Sequence, residues 1–340
     1  MAVVEIEGLS KHFKVLNRRE GLLGAMRDLF STDYRLVKAV QGIDMTIHEG
    51  EIVGFVGPNG AGKSTTIKMM TGVLEPSEGK ILVNGRIPFK NRQRNAMEIG
   101  VVFGQRTQLW WDLPVIESFK VLKEIYRVDQ KTFDENLETF HELVHIKELY
   151  PKQVRSLSLG QRMLCDIVAS FLHNPKVIFL DEPTIGLDVS VKSKIRSLIK
   201  ELNQTHKTTI ILTTHDISDI EALCKRLIII DKGSIIYDGD IQKANKLFGS
   251  YRTLKVQSSS LRDISPDHFT LQLTEAFPCK NEILIEWQSE GWLDITLNQD
   301  EVQLLDVLNY LMTTYSIRDI KIEEMDMETV IRKVYEGALL

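Results

Sequence analysis

Nine consecutive residues, Gly57-Pro58-Asn59-Gly60-Ala61-Gly62-Lys63-Ser64-Thr65, carry the densest chemistry in the chain. They follow a strand-like run, Glu51 to Val56, and precede a helical pattern, which is the context a phosphate-cradling P-loop needs. Glycine is required there because the backbone must fold tightly and aim its N–H groups inward, where a helix N-terminus adds favourable potential for an anion. In such a loop Lys63 reaches the β- and γ-phosphates, Ser64 ligates Mg²⁺ and Thr65 lies by the α-phosphate, so ATP is the expected ligand.

A second cluster follows the apolar run Val177-Ile178-Phe179-Leu180, which ends in Asp181-Glu182. Carboxylates at the carboxyl end of a parallel strand stand where such a sheet presents ligands. Asp181 is expected to hold Mg²⁺, through water, and Glu182 to act as general base for the water that attacks the γ-phosphate.

Leu157-Ser158-Leu159-Gly160-Gln161 resembles the signature motif of the ABC ATPases, and further motifs stand in that family's order. Gln105, in Val102-Phe103-Gly104-Gln105-Arg106, resembles the Q-loop glutamine. Gly186-Leu187-Asp188 resembles the D-loop and His215, in Leu212-Thr213-Thr214-His215-Asp216, the switch histidine. The resemblance implies that Ser158, Gly160 and Gln161 contact the nucleotide held by a second ATPase subunit. It also implies that Gln105 senses the metal and nucleotide, that Asp188 links the two sites, and that His215 orients the water with Glu182. ATP would then join two subunits, and its hydrolysis would release them. Both half-sites are present in this one chain, so a homodimer suffices.

The family stacks adenine on an aromatic residue that precedes the P-loop. Two residues qualify, Phe13 by neighbourhood and Tyr34 by spacing, and Tyr34, nearer the strand that enters at Val40, is the expected platform.

These residues need a scaffold. From Ala2 to about residue 245, β-branched runs at Glu51 to Val56, Val177 to Leu180, Thr209 to Leu212 and Leu227 to Ile230 alternate with helical periodicity, which predicts a mainly parallel α/β core. The expected fold is an α/β P-loop NTPase core over 1–245 with a helical subdomain inserted at about 86–170. Within that subdomain Val115, Ile116, Phe119, Leu122, Ile125 and Tyr126 share one helix face. A small α+β domain is expected over 250–340, with strands at Leu254 to Gln257, Ile283 to Trp287 and Leu293 to Leu297. A helix through Leu304, Leu305, Leu308 and Leu311 follows, and a last helix runs from a cap at Asp326, through Val330, Ile331, Val334 and Tyr335, to Gly337.

At 340 residues, 43% hydrophobic, 26% charged and with a net charge of -5, the chain has room for two cores and no general attraction to nucleic acid. Its apolar runs fall short of the roughly 20 residues a membrane helix needs, and its N-terminus lacks the features of a secretory signal. The expected location is therefore peripheral, at the cytoplasmic face of a membrane. Cys165, Cys224 and Cys279 have no metal-ligand spacing and read as small packing residues.

Residues 14–37 read as an insertion, with Leu22, Met26, Leu29 and Phe30 on one face of a short helix among Arg18, Arg19 and Arg27; this helix either meets the membrane partner or anionic headgroups or packs as a surface helix on its own domain. Trp110 and Trp111, just past Gln105, mark the surface where the family receives separate transmembrane permease subunits. With Asp181-Glu182-Pro183-Thr184-Ile185-Gly186-Leu187-Asp188-Val189 and the closing Val330 to Gly337, they resemble the ATPase subunits of drug and antibiotic exporters. An importer ATPase and a non-transport ABC protein are the alternatives, and the transported substrate is not written in these residues.

Overall fold

The computed structural model describes residues 1–16, 34–104, 106–214, 216–243, 251–258, 265–278, 283–288 and 292–324. Two compact units divide the chain, Met1–Gly239 and Asp240–Leu340.

In the first unit, β1 (Ala2–Leu16), β2 (Tyr34–His48) and β4 (Glu78–Val83) form an antiparallel sheet in the order β2-β1-β4. A second sheet runs β5-β6-β7-β3-β8-β9, built from β3 (Ile52–Val56), β5 (Ile99–Phe103), β6 (Val177–Asp181), β7 (Thr209–Thr213), β8 (Arg226–Asp231) and β9 (Ser234–Asp240). Its four inner ladders, from β5 across to β8, are parallel. Strands covered on both faces read as continuous apolar runs, and Val177, Ile178, Phe179 and Leu180 are all fully buried.

Seven α-helices serve this unit among the described residues: α1 (Lys63–Met70), α2 (Arg92–Glu98), α3 (Val115–Tyr126), α4 (Gln130–Val144), α5 (Leu159–Phe171), α6 (Val189–His206) and α7 (Ile217–Leu223). α3 buries Val115, Phe119 and Leu122 on one face and ends at Arg127 in the left-handed region. Asp129 caps α4 by accepting from the Thr132 amide at 2.9 Å. β5 lies inside the stretch read as helical from Arg86 to Ser170; its Ile-Gly-Val-Val-Phe run pairs with β6, so the helices of that stretch that lie beyond the sheet strand are α3 to α5.

β1 and β2 pair as far as Leu16 with Tyr34, so the ends of the 14–37 region are strands of a two-stranded ribbon. Residues 17–33, with Leu22, Met26, Leu29, Phe30 and the three arginines, lie outside the described residues. Cys165 and Cys224 are buried and unbridged, and burial raises the Cys224 thiol to about 12; Cys279 lies outside the described residues. Among the described residues no helix is long and apolar enough to cross a membrane.

The second unit is an antiparallel sheet of β10 (Tyr251–Ser258), β11 (Leu284–Trp287), β12 (Trp292–Asn298) and β13 (Ile317–Glu324), ordered β11-β12-β10-β13. α8 (Pro266–Ala276) and α9 (Leu304–Thr314) complete it. Leu254 and Val256 of β10 stand opposite Ile295 and Leu293 of β12, and Phe269, Leu273, Val307 and Leu311 close the core. The three strands and the helix expected here are present, joined by α8 and β13. The terminal helix expected between Asp326 and Gly337 lies outside the described residues.

Candidate nucleotide site

β3 runs directly into the glycine-rich loop. A Cβ on Gly57 would stand 2.0 Å from the Ile230 carbonyl oxygen, a distance no side chain tolerates. Gly62 closes the loop at φ 112°, where a Cβ would lie 2.6 Å from the Ala39 carbonyl oxygen. The loop is thus threaded between the end of β8 and the strand β2, and α1 starts at Lys63 with its free N–H groups turned to the loop. Thr66 steadies the first turn by donating to Gly62 O at 3.0 Å.

Lys63 is 8% exposed, and its ammonium donates to the carbonyls of Gly57 and, at 3.1 Å, Pro58. Burial lowers its pKa, and the charges of Glu182 and Asp181 pull it back up. That balance places the lysine within electrostatic reach of both acids at the end of β6. Ser64 is exposed and Thr65 half-buried at the start of α1.

Strand register brings the acids to the loop. Gly54 of β3 and Leu180 of β6 both stand level with Leu212 of β7, so the carboxyl ends of β3, β5, β6 and β7 form one edge. Thr213 donates its hydroxyl to the Asp181 carboxylate, and the Gly104 amide donates to Asp181 O at 2.7 Å. Glu182 turns out of the strand at φ 53°, held there by its amide donating to Thr213 O at 2.9 Å. A glutamate in the left-handed region costs about 1–3 kcal/mol unless its surroundings fix it, and such residues cluster at active sites. Gln105 follows β5 by two residues and His215 follows β7 by two; both lie outside the described residues, while their neighbours stand at this edge.

Ser64 and Asp181 line one cavity of about 590 Å³ together with Lys68, Phe103, Arg106 and Asp166. A hydroxyl and a carboxylate are the hard oxygen donors Mg²⁺ takes from a protein that leaves its remaining positions to phosphate and water. The described residues hold no group of three or more His, Cys, Asp or Glu placed for a metal.

The signature segment starts α5. Ser158 Oγ accepts from the Gln161 amide and Gln161 Oε1 from the Ser158 amide, each at 3.2 Å, a closed capping box. Gly160 is buried against α6, where a Cβ would stand 2.8 Å from Val191 Cγ1. Asp188 caps α6 by accepting from the Val191 amide at 2.9 Å. Signature and D-loop residues therefore meet within one chain.

The ribbon register bears on the adenine platform. Val40 packs on Gly62, where its Cγ2 would lie 3.5 Å from an added Cβ, and Val40 is paired with Lys11. Phe13 shares the strand face of Lys11, whose ammonium lies 5.4 Å from the Phe13 ring centroid. Tyr34 lies five residues beyond Ala39, about 16 Å along an extended strand, and pairs with Leu16 on the other face.

Sequence reasoning missed a polar group around the edge. Asp219, fully buried, accepts from Thr184, from Thr214 at 3.3 Å and from Arg196 at 2.5 Å. Beside it Lys192 pairs with Asp216 at 2.6 Å, and its charge with the Ser218 contacts holds the Asp216 carboxyl down near 2 against the opposing effect of burial. Thr184 and Thr214 adjoin motifs that were read; Asp219 and Arg196 belong to no short pattern and meet through tertiary structure alone.

Residues 40–185 match the model of the ABC transporter family. Over 213 residues the chain is 32% identical to the ABC transporter ATP-binding protein NatA of Bacillus subtilis, covering 63% of this chain and 86% of that one. It is 32% identical over 226 residues to the methionine import ATP-binding protein MetN of Halalkalibacterium halodurans, covering 64% and 66%. Among solved structures, that of cbiO1 from Clostridium perfringens, part of the ABC transporter complex cbiONQ, superposes with a TM-score of 0.60 at 24% identity over 82% of this chain and 96% of its own.

Proposed function

As a member of the ABC transporter ATP-binding family this chain is an ATPase, and we propose that it is the motor of an exporter, working as a dimer on separate permease subunits. The observation that carries the hydrolytic reading is the shared edge at which Lys63 lies within the field of Asp181 and Glu182. On binding ATP, Lys63 would exchange the carbonyls of Gly57 and Pro58 for the β- and γ-phosphates, with the loop amides of Gly60 to Thr65 around them. Ser64 and Asp181, with Gln105, would hold Mg²⁺, which neutralises phosphate charge when bound.

Glu182 is the base we assign to the attacking water, and its fixed backbone holds the carboxylate at the sheet edge, so little reorientation is needed when the water arrives. His215, the residue after Thr214 in the sequence, would orient that water and contact the γ-phosphate. We place adenine on Phe13, whose strand face adjoins the P-loop, in preference to Tyr34.

Ser158, Gly160 and Gln161 would meet the nucleotide of a second copy, and Asp188, packed beside them through Val191, would report that contact to the neighbouring site. A homodimer is the simplest assembly, since each chain carries both halves. Export rests on Trp110 and Trp111, 39% and 51% exposed just past Gln105, as the permease contact. Import is the second reading, supported by the likeness to MetN.

The test is isolation of the tagged chain from detergent-solubilised membranes, with MgATP hydrolysis assayed beside Glu182→Gln. A co-isolated multi-helix permease with Glu182-dependent hydrolysis supports the motor. Recovery with an extracellular solute-binding protein would turn the reading to import, and active protein without a membrane partner would overturn it.

A further inference from the structure

The turn that carries Trp110 and Trp111 is fastened to the helix that begins at the signature. Asp166, two turns along α5 and 4% exposed, accepts through one oxygen from Thr107 Oγ1 at 2.9 Å and from the Gln108 amide at 3.0 Å. Gln108 answers by donating its side-chain amide to the Asp166 carbonyl at 3.0 Å. Thr107 Oγ1 in turn accepts from the Leu109 amide at 3.1 Å, and the Trp111 carbonyl takes the Arg155 amide at 3.0 Å. Arg162, one turn before Asp166, lays its guanidinium 5.1 Å from the Trp111 ring centroid.

A carboxylate is an expensive group to bury in a helix whose buried positions include Met163, Leu164, Ile167, Val168 and Phe171. Burial pushes its pKa up to about 6, while Gln108, Thr107 and Arg162 draw it down. The hydrolytic roles of Lys63, Asp181 and Glu182 make no use of it. Its two acceptor contacts both reach the segment that follows Gln105, and its own helix leads back to Ser158, eight residues or about 12 Å away.

We infer that Asp166 is a positioning residue that clasps the Trp110–Trp111 turn to the signature helix, so that a nucleotide-driven shift of α5 reaches the tryptophans through one carboxylate. This rests on the reading of Ser158 and Gly160 as nucleotide contacts. Because both donors converge on one oxygen and Gln108 returns a bond to the same residue, the clasp resists sliding along α5 as well as separation from it. Asp166→Ala would remove both bonds to the carboxylate and leave the turn held to this point of the helix by the Gln108 bond to the backbone carbonyl.

The test uses the full chain with Trp287→Phe and Trp292→Phe, which leaves emission from the turn alone, since the sequence has four tryptophans. Glu182→Gln is added to retain ATP, and tryptophan emission and acrylamide quenching are followed on titration with MgATP. Asp166→Ala is expected to lose the emission response at saturating MgATP, with ATP binding measured on the same sample to establish saturation. Asp166→Asn, which retains an acceptor oxygen, is expected to restore most of it, and Thr107→Val to weaken it from the other side. Unchanged response and affinity in Asp166→Ala would overturn the inference. If that variant does not fold, a full response in Thr107→Val overturns it instead. Ser158→Ala separates the two claims: a response intact there but lost in Asp166→Ala keeps the clasp and removes the nucleotide role of Ser158.

Discussion

Arg196 on α6 and Asp219 on α7 form an ion pair at 2.5 Å in which the aspartate side chain has no exposed surface. The same carboxylate accepts from Thr184, two residues after Glu182, and from Thr214, the residue before His215. One buried charge therefore pins the chain that leaves Glu182 to the chain that leads up to His215. Removing one partner of such a pair strands the other, which costs about 3–5 kcal/mol. Arg196→Met is expected to lower stability by that order, and Arg196→Met with Asp219→Asn to recover much of the loss. Thermal denaturation of the two variants checks it.

Glu182→Gln keeps the volume of the side chain and removes its basicity. Hydrolysis is expected to fall at least about 100-fold while ATP is still bound. Phosphate release and equilibrium binding, measured on one preparation, would show whether the two separate in this way.

Phe13→Ala and Tyr34→Ala distinguish the two aromatic candidates. Stacking of a base on an aromatic ring is worth about 1–3 kcal/mol, so Phe13→Ala is expected to weaken ATP binding about 5- to 150-fold and Tyr34→Ala to leave it near the parent value. Tripolyphosphate, which has no base, should bind both variants as it binds the parent. Weakening by Tyr34→Ala alone would return the platform to the spacing argument.

His173 gives a pH dependence. Its ring stacks on Tyr126 at 3.8 Å, its Nε2 lies 3.0 Å from Ile99 O, and burial depresses its pKa to about 4 despite that bond. Above the ordinary histidine pKa both folded and unfolded chains hold it neutral. As pH falls from about 6.5 to 4 the unfolded chain gains a proton the folded one refuses, so stability is lost across that window, by up to about 3 kcal/mol. Chemical denaturation at pH 7 and pH 4.5 should show a smaller acid loss in His173→Gln than in the parent.

The inner strands of the parallel sheet are legible because each is a short apolar run, ended by Gly57 after β3, by Asp181 in β6 and by Asp231 in β8, and the P-loop and signature because their chemistry is local. β5 was hidden in a stretch dominated by helical spacing, since five residues between α2 and the Trp turn give little periodicity. The ribbon beyond Phe13 was read as insertion because Lys14, Arg35 and Lys38 interrupt its apolar residues and both of its faces are exposed. β13, Ile317-Arg-Asp-Ile-Lys-Ile-Glu-Glu324, alternates apolar and charged residues like a strand, but its partner β10 lies some sixty residues earlier. The Asp166 clasp and the Arg196–Asp219 pair join residues 23 to 59 positions apart, and no spacing rule connects them.

The sheet order has a consequence for synthesis. β3, which feeds the P-loop, is hydrogen-bonded to β7 and β8 and, among the described residues, to no strand nearer in the chain. The ribosome therefore releases the phosphate loop about 150 residues before the strands that hold it, an interval on the order of 10–30 s at usual elongation rates. The β2-β1-β4 sheet is complete by Val83 and can form while it waits. A nascent chain halted before Ile230, whose carbonyl closes on Gly57, would leave the ribosome with every residue of the loop and no rigid cradle, and chaperone dependence should concentrate in that interval.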